Sequence, residues 1–390
     1  SDEFRECYTT IAAAGKRAAM VAAQLLCSVL KPLLRACPRL TLAIDDTPTE
    51  RVGPCVQGRG LHHNPTPGPA GSPYVSGHIW VTLAILIAHP LWGVIALPLW
   101  AKLYIRKKDL PSIDSPHRPK FQTKIEMALD LLTWACTWLK AWGKPLWVVA
   151  DGAYAAGSLL QAMGELGVTV VSRLRHDAAL FAPPEPRKKS QRGRPRKKGQ
   201  ERISLAKRAA KGGWTVGEFT LYGKGVAKKY KTFLAYWEPA GGVIRIVLVQ
   251  EENNSWRAYF CTAVEATVKD ILETVAERFA IETMFREVKE VVGAGQQQTR
   301  FHFANLGCFH LCLWTYTLTE VWAWNRKEKE LTAHRSASPW DAEPRRPSHA
   351  DKRNAFRREL LRKDIERVLG VRLSRTKIGQ LAERLLQLAA

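Results

Sequence analysis

Arg278, Glu282 and Lys289 lie four and then seven residues apart within AERFAIETMFREVKEVVG, the stretch of the chain best suited to chemistry. On a helix such positions share a face, so a carboxylate would stand between two cations. That is a clamp for a metal ion and for the phosphate it acts on. Two other segments supply further acids. LTLAIDDT carries Asp45 and Asp46, and PLWVVADGAY carries Asp151. Each is an apolar, β-branched run that stops at an aspartate, which is how a buried strand delivers a carboxylate to the rim of a sheet. Mg²⁺ and Mn²⁺ want hard oxygen ligands, and two such ions can activate water or a 3′-hydroxyl and stabilise the leaving oxygen of an in-line displacement at phosphorus. Asp46, Asp151 and Glu282 are therefore the candidate catalytic residues and the candidate ligands of two Mg²⁺ or Mn²⁺ ions. The competing reading of Asp45-Asp46 is a turn or cap ahead of Thr47-Pro48.

The charge balance says what such a site would act on. With 59 Lys and Arg against 36 Asp and Glu, the net charge is +23. An excess of that size favours a polyanion, because neutralising phosphates releases counterions. Ribosomal or acidic membrane surfaces are the other readings of the same charge. An apolar fraction of 46% and a charged fraction of 24% exclude an intrinsically disordered chain. QRGRPRKKG, residues 191–199, places Arg192, Arg194, Arg196 and Lys197 as candidate DNA-binding residues. Arg-Gly-Arg-Pro resembles an AT-hook core that lies extended in a narrow minor groove; a non-specific polycation is the equal alternative.

The elements that would position these groups follow from periodicity. Residues 1–39 read as amphipathic helix broken at Pro32, followed by a strand over 40–46 and a Gly/Pro/His-rich loop over 51–73. IWVTLAILIAHPLWGVIALPLWAKLYI, residues 79–105, is apolar enough to imitate a membrane span. Pro and Gly punctuate its middle, so it reads as two buried strands, and no membrane partner is expected. A helix over 121–142, a strand over 146–150, a helix closing at Gly167 and a strand over 168–172 complete a β-β-β-α-β-α-β order. That order implies a mixed sheet flanked by helices, an α/β core. Residues 187–211 hold twelve Lys or Arg and one Glu, which reads as a mobile loop. Four short strand-like runs follow as an antiparallel meander, then a helix over 266–292, a long apolar helix over 303–325 and a basic helical tail.

The eight cysteines are scattered. Cys308 and Cys312, near His302 and His310, could be a zinc site, but their apolar helical context reads as buried thiols in a reducing cytoplasm. His62, His63 and His78 read as loop and buried-turn residues before metal ligands.

Taken together, these motifs resemble a DDE transposase of the IS4-like group of bacterial insertion sequences, over about residues 40–325. That group's third motif is Tyr-x2-Arg-x3-Glu-x6-Lys, matched at Arg278, Glu282 and Lys289, with Val275 in place of the tyrosine. Its first aspartate usually precedes Thr or Ser, which selects Asp46, and its second ends a V-A-D strand, which selects Asp151. The resemblance implies an RNase H-like catalytic core carrying an inserted antiparallel β region and helical termini. The corresponding division is an N-terminal helical segment (1–39), the first part of the core (40–181), the insertion (182–262), the rest of the core with the Glu helix (263–330) and a basic tail (331–390). It also implies Arg278 and Lys289 on DNA phosphates, with Arg286 facing the same groove, and Trp256 stacking on a displaced base. The partner would be double-stranded DNA, both transposon ends and target, with a homodimer in the synaptic complex of a bacterial cytoplasm. The expected activity is metal-dependent cleavage at the element's ends and strand transfer into target DNA. The alternatives are an RNase H-like nuclease that only hydrolyses and a domesticated, non-catalytic DNA-binding protein.

Overall fold

The computed structural model of the chain describes residues 2–63, 71–185, 194–253, 255–335 and 346–369, with a few positions beyond. Its centre is a β-hairpin. β3 (Tyr74–His89) and β4 (Gly93–Tyr104) are the two halves of the membrane-like run, buried along most of their length. Strands covered on both faces need no polar alternation, which is why they read as one hydrophobic stretch. The turn closes at Gly93 with φ 77°, a left-handed conformation that favours glycine.

β1 (Leu40–Glu50) pairs antiparallel with β3, and β5 (Leu146–Ala150) and β6 (Thr169–Leu174), joined through α5 (Gly157–Glu165), follow parallel on its other side. The order β4-β3-β1-β5-β6, three antiparallel strands and then two parallel ones, is an RNase H-like core. β2 (Gly60–His63) adds to the near end of β3.

Alternation along β1 divides the interior into two layers. Leu40, Leu42 and Ile44 share a core cluster with Met127, Leu131 and Leu132 of α4 (Lys124–Leu139), whose start is fixed by a Thr123/Glu126 capping box. Ala43 and Val149 share another with Ile281, Met284 and Phe285 of α8 (Phe279–Glu287) and with Phe309 and Leu313 of α9 (His302–Ala323). α9 is stitched to a bulge in β4. Thr317 Oγ1 donates to the Pro98 carbonyl at 2.9 Å, Trp314 Nε1 to Leu99 at 2.9 Å, and the Ala101 N–H donates to His310 Nε2 at 3.1 Å. These bonds satisfy backbone groups that the bulge leaves out of the ladder.

The four strand-like runs beyond the core are strands: β9 (Thr215–Leu221), β10 (Lys224–Trp237), β11 (Gly242–Gln250) and β12 (Trp256–Cys261). They do not stand apart, because β12 pairs antiparallel with β6 and the meander prolongs the same sheet. The basic segment is less loop-like than its composition suggests. β7 (Leu180–Phe181) pairs with β8 (Arg202–Ile203), α6 (Leu205–Ala210) follows, and Lys198 lies over the Phe181 ring at 4.0 Å. A few buried apolar anchors, Leu180, Ile203 and Leu205, outweigh the charge.

The remaining helices differ from expectation in detail. Pro32 does not break the N-terminal segment, in which α1 (Asp2–Lys16) and α2 (Ala18–Gln24) precede a π-turn over Leu25–Leu30. Pro32 sits at the start of α3 (Lys31–Arg35), directly after that π-turn, and the helical path continues through it. Residues 18–35 are apolar and long enough to cross a membrane, but Leu26, Leu30 and Leu34 are fully buried in the core. α1 crosses α9 at backbone contact: a Cβ on Gly307 would meet the Ile11 carbonyl at 1.9 Å. The expected helix over 266–292 is divided into α7 (Val268–Glu277), α8 and a π-turn over Val288–Val292, with Arg278 at the α7–α8 joint. α10 (Glu328–Thr332) and α11 (His349–Leu369) follow, α11 docking on α9 through buried Glu320, which meets Lys352 at 2.6 Å and His349 at 2.7 Å.

Candidate active site

β1 does not stop at its aspartates. The parallel ladder to β5 ends at the pair Ile44–Ala150, while the antiparallel ladder to β3 runs on through Asp45, Asp46, Thr47 and Pro48. Pro48 is tolerated because that stretch has a sheet neighbour on one side only. The rim of the sheet therefore falls one residue beyond Ile44 and Ala150, at Asp45 and Asp151. Adjacent strands in register put these two side by side, and each shares the parity of the residue two before it, Ala43 and Val149, which face α8.

Arg278 is the hub of the site. Its guanidinium donates through Nη1 to Asp45 Oδ2 at 2.7 Å and through Nη2 to Glu282 Oε1 at 2.6 Å. The position is fixed from behind. Ile281, Met284 and Phe285 bury one face of α8, and Arg39 ties α7 to β1 by pairing with Asp270 at 3.0 Å and Thr274 at 2.8 Å. The Arg278 N–H bonds to the Thr274 carbonyl while the Arg278 carbonyl accepts from Ile281 three residues on, a tightened turn that sets the angle between α7 and α8.

Asp46, the expected first acid, is not the aspartate that shares a partner with Glu282. Successive side chains of a strand point to opposite faces, so Asp46 turns toward α4. There its Oδ2 meets Lys124 Nζ at 2.6 Å and its Oδ1 accepts from the Tyr154 hydroxyl at 2.8 Å. Asp45 is the acid that shares Arg278 with Glu282. Residue types around the pair Asp45-Asp46 could not settle this; the face each occupies does.

The electrostatics single out the same residue. Burial pushes the Asp45 carboxyl up to about 6, against the pull of Arg278 and of the Asp46 N–H, while the charges of Asp46 and Asp151 push it further up. Among the described residues no group of three or more His, Cys, Asp or Glu is placed to hold a metal ion, and at this rim Arg278 stands between Asp45 and Glu282. The donor set is nevertheless one of hard carboxylate oxygens at a sheet rim, suited to Mg²⁺ or Mn²⁺. The Tyr154 hydroxyl is held far above the usual phenol range by burial and by the neighbouring acids, so it stays a donor.

The other expected residues are dispersed. Lys289 falls in the π-turn after α8, half-buried, and burial lowers its ammonium. Arg286 is exposed on the last turn of α8, and Arg194, Arg196 and Lys197 are exposed on the basic segment; Arg192 lies outside the described residues. Trp256 is half-buried at the start of β12 and stacks on His176 at 4.2 Å. His62 and His78 are buried, with burial lowering the first to about 4 and the second to about 3; His78 contacts the Gln57 carbonyl. Lys124 and Tyr154 were missed from sequence. Tyr154 had one signal, its place three residues after Asp151, whereas Lys124 had none.

Two family models match the chain: "DDE superfamily endonuclease" over residues 3–215 and "Transposase DDE domain" over residues 123–318. Comparison with curated proteins gave no match. Among solved structures, a piggyBac transposase synaptic complex with hairpin DNA is similar over 88% of this chain and 56% of that one, at 8% identity and a TM-score of 0.35. The chain thus spans little more than half the length of that transposase, and the likeness is too slight to carry over any activity.

Proposed function

The chain belongs to the DDE family of endonucleases and transposases, and on that premise we propose that it cuts DNA at the ends of a mobile element and joins them to target DNA. The observation that carries this reading is Arg278 bridging Asp45 and Glu282 at the rim where Asp151 also emerges. Members of the family generally depend on a divalent metal. Asp45, Asp151 and Glu282 supply the hard oxygens that would hold two Mg²⁺ or Mn²⁺ ions. Such ions, when bound, activate the attacking oxygen and stabilise the leaving one.

The protein's own groups do the rest. The carboxylates orient the attacking water or 3′-hydroxyl toward the scissile phosphate. Arg278, which balances Asp45 and Glu282, would be free to take a phosphate bidentately were those carboxylates to hold a divalent ion. Exposed Arg286, with Arg194, Arg196 and Lys197, supports DNA backbone contact in a chain of net charge +23.

The test is an assay with DNA carrying the element's terminal repeats, excess target plasmid and Mn²⁺ or Mg²⁺. Cut ends and joined products are expected, with both lost in Asp45→Ala, Asp151→Ala and Glu282→Ala while end binding persists. Cutting without joining would leave a hydrolytic nuclease, and undiminished cutting by the three variants would remove the site altogether. Light scattering of the end complex reads whether two subunits assemble on DNA.

A further inference from the structure

Asp46 touches neither Arg278 nor Glu282, yet it is a fully engaged acid. Both of its oxygens hold charge-assisted bonds, one to Lys124 at 2.6 Å and one to Tyr154 at 2.8 Å. The partners matter because of where they sit. Lys124 is the first residue of α4, and Tyr154 ends the short 3₁₀ turn Gly152–Tyr154 that Asp151 immediately precedes. The Tyr154 N–H bonds back to the Asp151 carbonyl at 2.9 Å, and its ring is buried, only 2% exposed. Asp151 lies one residue past the last β1–β5 pair, Ile44–Ala150, and opens the turn that ends in Tyr154. The Asp46–Tyr154 bond ties that turn back to β1.

We propose that Asp46 is a positioning residue: through Tyr154 it fixes the turn that carries Asp151, and through Lys124 it fixes the start of α4, so that Asp151 stands beside Asp45. This rests on Asp45, Asp151 and Glu282 being the catalytic acids. A pair of adjacent aspartates on one strand then divides the work by face, the first taking part in the chemistry and the second holding the framework. A displacement of about 1 Å in a catalytic group lowers rates by about 10²-fold, so the clamp has kinetic consequences without contacting DNA.

The experiment measures single-turnover end cleavage, end-DNA affinity and Mn²⁺ affinity (by electron paramagnetic resonance) for Asp45→Asn, Asp46→Asn, Asp46→Ala, Tyr154→Phe and the Asp46→Ala/Tyr154→Phe double variant. Tyr154→Phe and Asp46→Ala should cleave about 10- to 100-fold more slowly, with end-DNA affinity within about twofold. Asp46→Asn keeps an oxygen for the Tyr154 hydroxyl and should recover most of the rate. The double variant should be no slower than Asp46→Ala, the non-additivity of two groups acting as one. Asp45→Asn should not cleave and should lose most Mn²⁺ binding. An Asp46→Asn protein as inactive and as poor in Mn²⁺ as Asp45→Asn would make Asp46 a ligand and overturn the proposal. So would wild-type rates in both Asp46→Ala and Tyr154→Phe. Cleavage by Asp45→Asn at the wild-type rate would instead bring down the assignment of the catalytic acids. Tyr154→Phe keeps the buried ring, so its readout stands even where Asp46→Ala fails to fold.

Discussion

Arg278 and Asp45 are 233 positions apart in the chain and 2.7 Å apart in space. The same guanidinium reaches Glu282 with its other nitrogen, so one cation balances two carboxylates drawn from opposite ends of the core. Arg278→Ala should lower the stability of the metal-free protein by about 1–3 kcal/mol, the usual cost of leaving a part-buried charged group unmatched. Mn²⁺ should stabilise this variant by a larger increment than wild type, because no guanidinium has to be displaced. Urea unfolding with and without Mn²⁺ reads both quantities. Equal increments in the two proteins would show that Arg278 and metal do not compete for the acids.

Acid should destabilise the fold through its buried histidines. Burial lowers His62, His302 and His310 to about 4 and His78 to about 3. A group whose folded value lies below its unfolded one loses stability as pH falls, because the unfolded chain takes up the proton first. The loss runs from about pH 6.5, the ordinary histidine value, down to the folded values, and reaches roughly 2 kcal/mol per histidine at pH 5. Asp45, raised to about 6, acts oppositely: its contribution favours the folded state at low pH and fades as pH rises through 6. Glu277, also raised by burial, acts with Asp45, while His89 and Asp351, both lowered, add to the loss in acid. Unfolding free energies at pH 7 and pH 5 should differ accordingly, with a smaller difference in His310→Gln. A flat pH dependence would mean that these rings are hydrated.

Gly307 and Gly15 set how closely the first helix approaches α9. A Cβ on either would collide with backbone, at 1.9 Å from the Ile11 carbonyl and 2.1 Å from the Phe303 carbonyl respectively. Neither partner can yield as a side chain does. Gly307→Ala should therefore cost about 1–3 kcal/mol or more by overpacking, even though alanine favours helix by up to about 1 kcal/mol. Hydrogen exchange should then rise over residues 2–16 before it rises in the sheet. A stabilised Gly307→Ala protein would mean that the two helices are not in backbone contact.

The basic segment should reveal itself in salt dependence. Replacing Arg194, Arg196 and Lys197 with Ala removes three exposed cations. The slope of log affinity for non-specific duplex DNA against log salt should fall by up to about three. An unchanged slope would remove these residues from the DNA path. A loss confined to A·T-rich duplexes would favour the AT-hook form of the contact.

Much of this molecule is written in local pattern. The β3–β4 hairpin, the strand ending at Ala150 and the four strands beyond the basic segment were legible because apolar run length and turn residues are properties of neighbouring residues. The π-turns and the joint at Arg278 were not, since they depend on what each helix packs against. The strand carrying Asp45 and Asp46 was expected to end at the second of them. It runs four residues further because β3 continues to supply a partner after β5 has stopped.

By itself the sequence determined which acids and bases the chain owns, the order of its main core strands and helices, and the large positive charge that calls for a polyanion. Tertiary structure alone decided which aspartate looks at Glu282, which cation bridges them, and that Tyr154 reaches back to β1. Those choices turn on the parity of a strand and the register between strands. A shift of one residue exchanges the two faces of a sheet without altering any local preference.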